Sequence, residues 1–289
     1  CAPTNHFSTV CGKSIRPASF LPYKLERECH THDLWVFEGF TTYYENVLPF
    51  RAGVLDEDKL LSLTSARFNR VREREGFHVE SLSDASFNAW THLYKQTPDS
   101  AYCQASYYGK GAVLAFMLDA ALRKAGFSLD EVLKTWFHEA LADPQARSLP
   151  DGGFFERIPV ASIAERFKKL VTSSDRTLWE NEWRCALSTL GMSEEADKNT
   201  PASRMHLGLQ LDGLRVRYAE SRGSAYAAGL FAGDEIIAVN GLRADAATIE
   251  RMIAQAKGST VHIHYFREHL LRSAEIEIPV NPLPHRTLP

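Results

Sequence analysis

The sequence predicts a multidomain α+β protein, mostly helical to about residue 195 and strand-rich from about residue 204. Three observations carry that reading. Apolar residues recur at helical spacing as far as Leu190. A polar run, Ser193-Glu194-Glu195-Ala196-Asp197-Lys198-Asn199-Thr200-Pro201, then breaks the pattern. Beyond it come short runs with strand alternation, clearest in Val261-His262-Ile263-His264-Tyr265, whose apolar residues share one face. The boundaries that follow are a helical domain over 1–195, a linker over 196–203, a strand-rich domain over 204–280 and a flexible, proline-rich tail over 281–289. A chain of 289 residues is long enough for two ordinary domains.

Each element has its own signal. Leu34 to Leu48 is aromatic and apolar at helical spacing, with Pro49 as its expected exit. Ala112 to Lys124 is apolar almost all round, which predicts a buried helix stopped at Gly126. Ser128-Leu129-Asp130-Glu131 is a capping box, opening a helix with Val132, Leu133, Trp136 and Phe137 inward. Thr177-Leu178-Trp179-Glu180 repeats that signal before Trp183, Ala186, Leu187 and Leu190, with Gly191 as the stop. Pro98-Asp99-Ser100 and Asp143 to Gly153 read as loops. In the last third, strands are expected over Leu207–Leu211, Leu214–Tyr218, Glu235–Val239, Val261–Phe266 and Ala274–Ile278. One helix, Ala246–Ala256, is interposed with Ile249, Met252 and Ile253 inward, and the core is expected around Leu209, Val216, Ile236, Val239, Ile253 and Ile263.

Composition removes several classes of function. The net charge of −3 lacks the basic excess of a general nucleic-acid binder. The longest apolar run, Ala112 to Leu118, stops at Asp119, far short of the ~18 residues of a membrane span, so no membrane partner is expected. Five cysteines (Cys1, Cys11, Cys29, Cys103, Cys185) never form C-x-x-C and suggest no disulfide framework, which fits a reducing compartment and a cytoplasmic location. Cys1-Ala2-Pro3-Thr4 lacks the pattern of a signal peptide. His262, His264 and His269 invite a metal reading, but no third convincing ligand accompanies the first two, and no metal is assigned there.

Leu207 to Ile278 resembles a PDZ domain of the bacterial type, a small barrel or sandwich with one or two helices. The resemblance rests on Leu207-Gly208-Leu209, on Gly223-Ser224-Ala225-Tyr226-Ala227-Ala228-Gly229-Leu230, and on Gly233-Asp234-Glu235-Ile236-Ile237-Ala238-Val239-Asn240-Gly241. Backbone amides around a glycine can converge on a carboxylate, and an open strand edge beside a helix can accept an extended peptide. Leu207, Gly208 and Leu209 are therefore the expected peptide-binding residues, with a peptide or protein C-terminus as partner.

The informative stretch of the helical part is Leu34-Trp35-Val36-Phe37-Glu38-Gly39-Phe40-Thr41-Thr42-Tyr43-Tyr44-Glu45. A glutamate inside an aromatic helix is costly to bury unless it is paired or bound to a cation. A second block, Ala105-Ser106-Tyr107-Tyr108-Gly109-Lys110-Gly111-Ala112, opens the buried helix. With Ile15-Arg16-Pro17, Phe20, Pro22-Tyr23, Leu25, Glu28 and Ser86-Phe87-Asn88-Ala89-Trp90, these blocks resemble the glycyl aminopeptidase family of gluzincin-type zinc metallopeptidases. That family pairs a thermolysin-like catalytic domain with a C-terminal PDZ domain. The resemblance makes the helical half the C-terminal part of such a catalytic domain and covers nearly the whole chain. It implies zinc as cofactor, Glu38 as the third zinc ligand, and Tyr108 as the phenol that donates to the oxyanion. Thr41 and Thr42, one turn on, are expected to orient the Glu38 carboxylate. The substrate implied is a peptide with Gly or Ala at its N-terminus.

One departure matters. Counting back from Ile15-Arg16-Pro17, the family's H-E-x-x-H falls on Thr4-Asn5-His6-Phe7-Ser8, which has neither zinc-binding histidine and Asn5 in place of the catalytic glutamate. His30 and His32 read as solvated loop histidines rather than replacements. A chain of this sequence is thus expected to hold no zinc and to be inactive. Two accounts compete: a scaffold retained after loss of its metal, or a shifted reading frame at the start, favoured because the loss is confined to the first dozen residues. The alternative class of function is a non-catalytic PDZ-type peptide-binding or scaffolding protein.

Overall fold

In the computed structural model, which describes residues 15–22, 24, 26–283 and 285–287, the apolar run from Ala112 to Leu118 sits at the centre of the helical part. Residues up to Glu194 form one unit and Glu195–Thr287 a second. In chain order the first contains β1 (Arg16–Pro17), a π-helical turn (Trp35–Gly39), α1 (Phe40–Arg51), α2 (Glu57–Arg72), α3 (Leu82–Phe87), α4 (Ser100–Cys103), α5 (Tyr107–Lys124), α6 (Leu129–Ala142), β2 (Ser148–Leu149), α7 (Ala161–Val171) and α8 (Arg176–Thr189). β1 and β2 pair in parallel.

Helix α5 is buried on nearly every side, as an all-round apolar helix must be. The Ser106 hydroxyl caps its start by accepting from the Gly109 amide, and Gly126, with φ +85°, follows its end. Against it pack the π turn, α1, α2 and α8. One close backbone approach is made by two glycines. A Cβ on Gly39 would lie 2.6 Å from the Gly111 Cα, and one on Gly111 would lie 2.8 Å from the Gly39 Cα. Only side chains of a single hydrogen allow the π turn to cross α5 here. Trp35, Phe40 and Phe154 then meet edge to face, with ring centroids 5.0 to 5.8 Å apart.

Three expectations for this unit are corrected. Helical spacing from Leu34 conceals a π turn before α1 begins. Pro49 does not end the helix at once: the helix runs on two more residues to Arg51, with no amide at Pro49 to bond the preceding turn. The cap of α8 is Asp175, whose carboxylate accepts from the Thr177 and Leu178 amides, so the helix starts ahead of Thr177; Leu190 at its end is exposed. Ser128 caps the helix as expected, its hydroxyl accepting from the Glu131 amide, while the Glu131 carboxylate accepts from that hydroxyl.

The second unit contains β3 (Glu195–Ala196), α9 (Ala202–Leu207), β4 (Leu209–Asp212), β5 (Arg215–Ala219), α10 (Ser224–Ala227), β6 (Glu235–Val239), β7 (Leu242–Arg243), α11 (Ala246–Gln255), β8 (Thr260–Arg267), β9 (Leu270–Glu277) and β10 (Arg286–Thr287). An antiparallel sheet has the order β4-β5-β6-β8-β9, with β7 on β6. Leu209, Val216, Ile236, Val239, Ile253 and Ile263 are all buried in one core. Asn240 and Gly241 both have positive φ, the two-residue hairpin geometry that favours this pair.

The linker and flexible tail are corrected together. β3 pairs antiparallel with β10, the Asp197 amide donates to the His285 carbonyl at 3.1 Å, and the Leu283 amide donates to Met205 at 2.7 Å. Residues 196–203, 281–283 and 285–287 are thus partly structured by each other and by α9. Their polar composition concealed this, since a backbone ladder needs no apolar side chains. Leu207 ends α9 rather than opening a strand, and β9 starts at Leu270, ahead of Ala274.

Candidate active site

The Gly39–Gly111 crossing fixes what lies on either side of it. Glu38 precedes Gly39 in the π turn, and Tyr108 stands one turn before Gly111 in α5. The two are neighbours: the Tyr108 hydroxyl lies near enough to the Glu38 carboxylate to favour its charged form. Burial pushes the Glu38 carboxyl above its usual range, partly offset by the nearby Tyr108 hydroxyl. Burial, with the Glu38 charge next in importance, pushes the Tyr108 phenol up to about 12, so at neutral pH it is a donor.

Thr41 and Thr42 do not orient the carboxylate. Their hydroxyls donate back to the Phe37 and Glu38 carbonyls, at 2.6 and 2.8 Å. In a π turn the ladder skips to the fifth residue, so carbonyls of this stretch are open to such hydroxyls. What holds Glu38 is its backbone: Trp35 N donates to the Ser86 hydroxyl and Val36 N to the Asp33 carbonyl.

Sequence reasoning missed the other members of the site. The Tyr107 ring stacks on Tyr108 at 4.7 Å, and its hydroxyl donates to Tyr94 at 3.4 Å. Tyr107 adjoins Tyr108 in the same sequence block, but nothing in the sequence points to Tyr94. Lys110, fully buried, turns its amine away from the site to the Phe77 and Glu80 carbonyls, at 2.5 and 2.7 Å, above the Phe77 and Trp179 rings. The Glu80 carboxylate in turn takes His92 and the Ala105 amide, at 2.6 and 2.7 Å. This network ties the segment carrying Tyr94 to the residues just before Tyr107.

His30 and His32 are half-buried; His32 stacks on Phe87 and His30 lies tilted against the same ring, their Nδ1 atoms bonded to the Ser83 hydroxyl and the Phe87 carbonyl respectively. Among the described residues no three His, Cys, Asp or Glu side chains lie together as a metal site. Glu38 alone is one carboxylate, and zinc needs three protein ligands, so the described residues do not make up a zinc site. Thr4-Asn5-His6-Phe7-Ser8 lies outside the described residues.

In the second unit, Leu207 is the last residue of α9, Gly208 stops that helix at φ +75°, and Leu209 opens β4. The Gly208 amide donates to the Arg204 carbonyl, and the Gly208 carbonyl accepts from Glu220. Given the register Leu209↔Ala219, the Leu209 amide therefore points away from β5, along the outer edge of the sheet. His262 and His264 share a face of β8, with rings 5.0 Å apart.

A helical half in which an aromatic-flanked glutamate lies near a tyrosine is thus followed by a separate antiparallel-sheet unit. Residues 5–114 match the family described as M61 glycyl aminopeptidase. The whole chain is similar to the aminopeptidase N family protein from Idiomarina loihiensis, at 27% identity and a TM-score of 0.81 over 99% of this chain and 53% of that one. It thus spans about half the length of that relative. The photosystem II D1 C-terminal processing protease is a slight likeness: 15% identity, TM-score 0.24, 41% of this chain and 38% of that one. Among curated proteins nothing matches.

Proposed function

We propose that this chain is the helical and PDZ-like portion of a zinc-dependent aminopeptidase for peptides with Gly or Ala at the N-terminus, and that without an H-E-x-x-H motif it does not hydrolyse them. The observation that supports the reading is the meeting of Glu38 and Tyr108 across the Gly39–Gly111 crossing. A carboxylate held by its backbone in a half-apolar place suits a cation, and a phenol that keeps its proton suits a developing oxyanion. Zinc, where a complete ligand set binds it, polarises the scissile carbonyl and activates water. Thr4-Asn5-His6-Phe7-Ser8 offers no such set with Glu38. The PDZ-like unit is read as an accessory peptide-binding module around Leu207, Gly208 and Leu209. An extended peptide would add to the β4 edge, and a C-terminal carboxylate there would find the Leu209 amide, while that of Gly208 is already committed to Arg204.

Two experiments test this. The 289-residue chain, after dialysis, should retain no stoichiometric zinc and release no Gly or Ala from small amide substrates; chelator-sensitive release would refute the inactivity. In a protein completed with the upstream part and a family-like H-E-x-x-H segment, Glu38→Gln should weaken zinc affinity sharply. Tyr108→Phe should keep zinc and lower kcat by roughly 10²–10³. Equal zinc affinity with and without the Glu38 carboxylate would refute its role.

A further inference from the structure

We infer that the aromatic strip leading away from Tyr108, formed by Tyr107, Tyr94, Trp90 and Phe87 with His30 and His32, receives a large aromatic side chain of the peptide substrate. The inference rests on the aminopeptidase reading and gives it a second specificity. If the N-terminal residue is small, the large side chain nearest the scissile carbonyl belongs to the residue that follows it.

The strip is continuous with the site. Tyr108 stacks on Tyr107, whose hydroxyl reaches Tyr94, and the Tyr94 and Trp90 rings are 5.7 Å apart. The Trp90 indole N–H donates to the Cys29 carbonyl at 2.9 Å. The next residue, His30, lies with its ring 4.9 Å from Phe87, and His32 stacks on the same ring at 4.7 Å. Segment 29–32 thus joins Trp90 to Phe87 and then runs on to Glu38.

Beyond Tyr107, which is buried, the strip is open and held in place. Tyr94 is 63% exposed, Trp90 40% and Phe87 39%. Exposed apolar surface contributes little to folding, and where such side chains gather beside a reactive site they mark a contact surface. Polar atoms of these rings are bonded within the chain, by Cys29, Phe87, Ser83 and Tyr107, so the exposed part of the strip offers mainly apolar ring surface. Ring faces and edges fixed in advance favour another ring, through burial and edge-to-face contact.

The test uses the full chain in excess chelator, so the outcome does not depend on zinc. Glycyl-phenylalanine amide and glycyl-alanine amide are titrated and followed by line broadening of the peptide NMR signals. The phenylalanine probe should bind about tenfold tighter or more, as expected for one buried ring in edge-to-face contact. Trp90→Ala should remove most of that preference without changing the alanine probe, and Tyr94→Ala should also remove it, whatever it does to the alanine probe. Trp90→Phe, which keeps a ring, should retain it and guards against misfolding of the alanine variant. Equal affinities, no detectable binding of either probe, or a preference that survives both alanine substitutions would overturn the inference. So would concentration-dependent self-association abolished by Trp90→Ala, which would give the strip to a second copy of the chain. Loss of the Glu38 effect on zinc in the completed protein, with the ring preference intact, would instead count against the peptidase reading alone.

Discussion

Lys110 places a cationic group where no surface is exposed, and its two carbonyl partners come from a turn far from it in sequence. Burial lowers its pKa to about 7, and the charges of Glu80 and Asp84 oppose that shift. A neutral amine still has two hydrogens for two carbonyls, so deprotonation leaves both hydrogen bonds in place. Between pH 7 and pH 10 the unfolded chain therefore holds a proton that the folded chain has released, and stability rises with pH in that window. Denaturant melts at pH 7 and pH 9 should show a gain on the order of 1 kcal/mol per pH unit that Lys110→Met abolishes. The same substitution leaves two buried carbonyls without donors and should cost about 1–3 kcal/mol at pH 7. At this scale the sequence was legible where a residue type was out of place: a glutamate among aromatics singled out Glu38. It was silent on Tyr94, because a tyrosine in a polar loop has no pattern to violate, and its role comes from a fold that brings it to Tyr107.

Among the elements, the crossing of the π turn over α5 decides most, since it sets Glu38 against Tyr108. Gly111→Ala would put a methyl 2.8 Å from the Gly39 Cα, and the contact is backbone on both sides, so neither can rotate away. It should destabilise the helical unit by about 1–3 kcal/mol, read as a lowered thermal midpoint. Gly126→Ala, in open space but at φ +85°, serves as the comparison and should cost less, about 1 kcal/mol of backbone strain. The helices themselves were readable, and Ala112 to Lys124 announced its burial through composition alone. The π turn was not, because five residues at the wider pitch drift too little to break an apolar stripe. The start of α8 was misread for another reason: Asp175 and Thr177 are both good caps, and the geometry chose the one whose oxygen reaches two amides.

At the scale of the whole molecule, the second unit has its own core, so Glu195–Thr287 should fold as an isolated fragment with a cooperative thermal transition. A shorter fragment, residues 203–282, lacks β3, β10 and the Leu283–Met205 hydrogen bond and should melt lower. Equal midpoints for the two would mean that these terminal pairings contribute nothing. The change from helix to strand was legible because hydrophobic period changes with it, as was the strand-rich core from Leu209 to Ile263. The outer limits of this unit were not, since main-chain pairing by polar residues leaves no trace in composition.

That pairing of β3 with β10 has a geometric corollary. Ala196 opposes Arg286, and opposed residues in such a ladder stand only about 5 Å apart. The polypeptide enters this unit and leaves it through one doorway. A body with both ends at one point asks nothing of the length or direction of the chain that carries it. It is a cassette: it can be set into a surface loop of another protein, or have its ends joined and be reopened elsewhere, without redrawing its sheet.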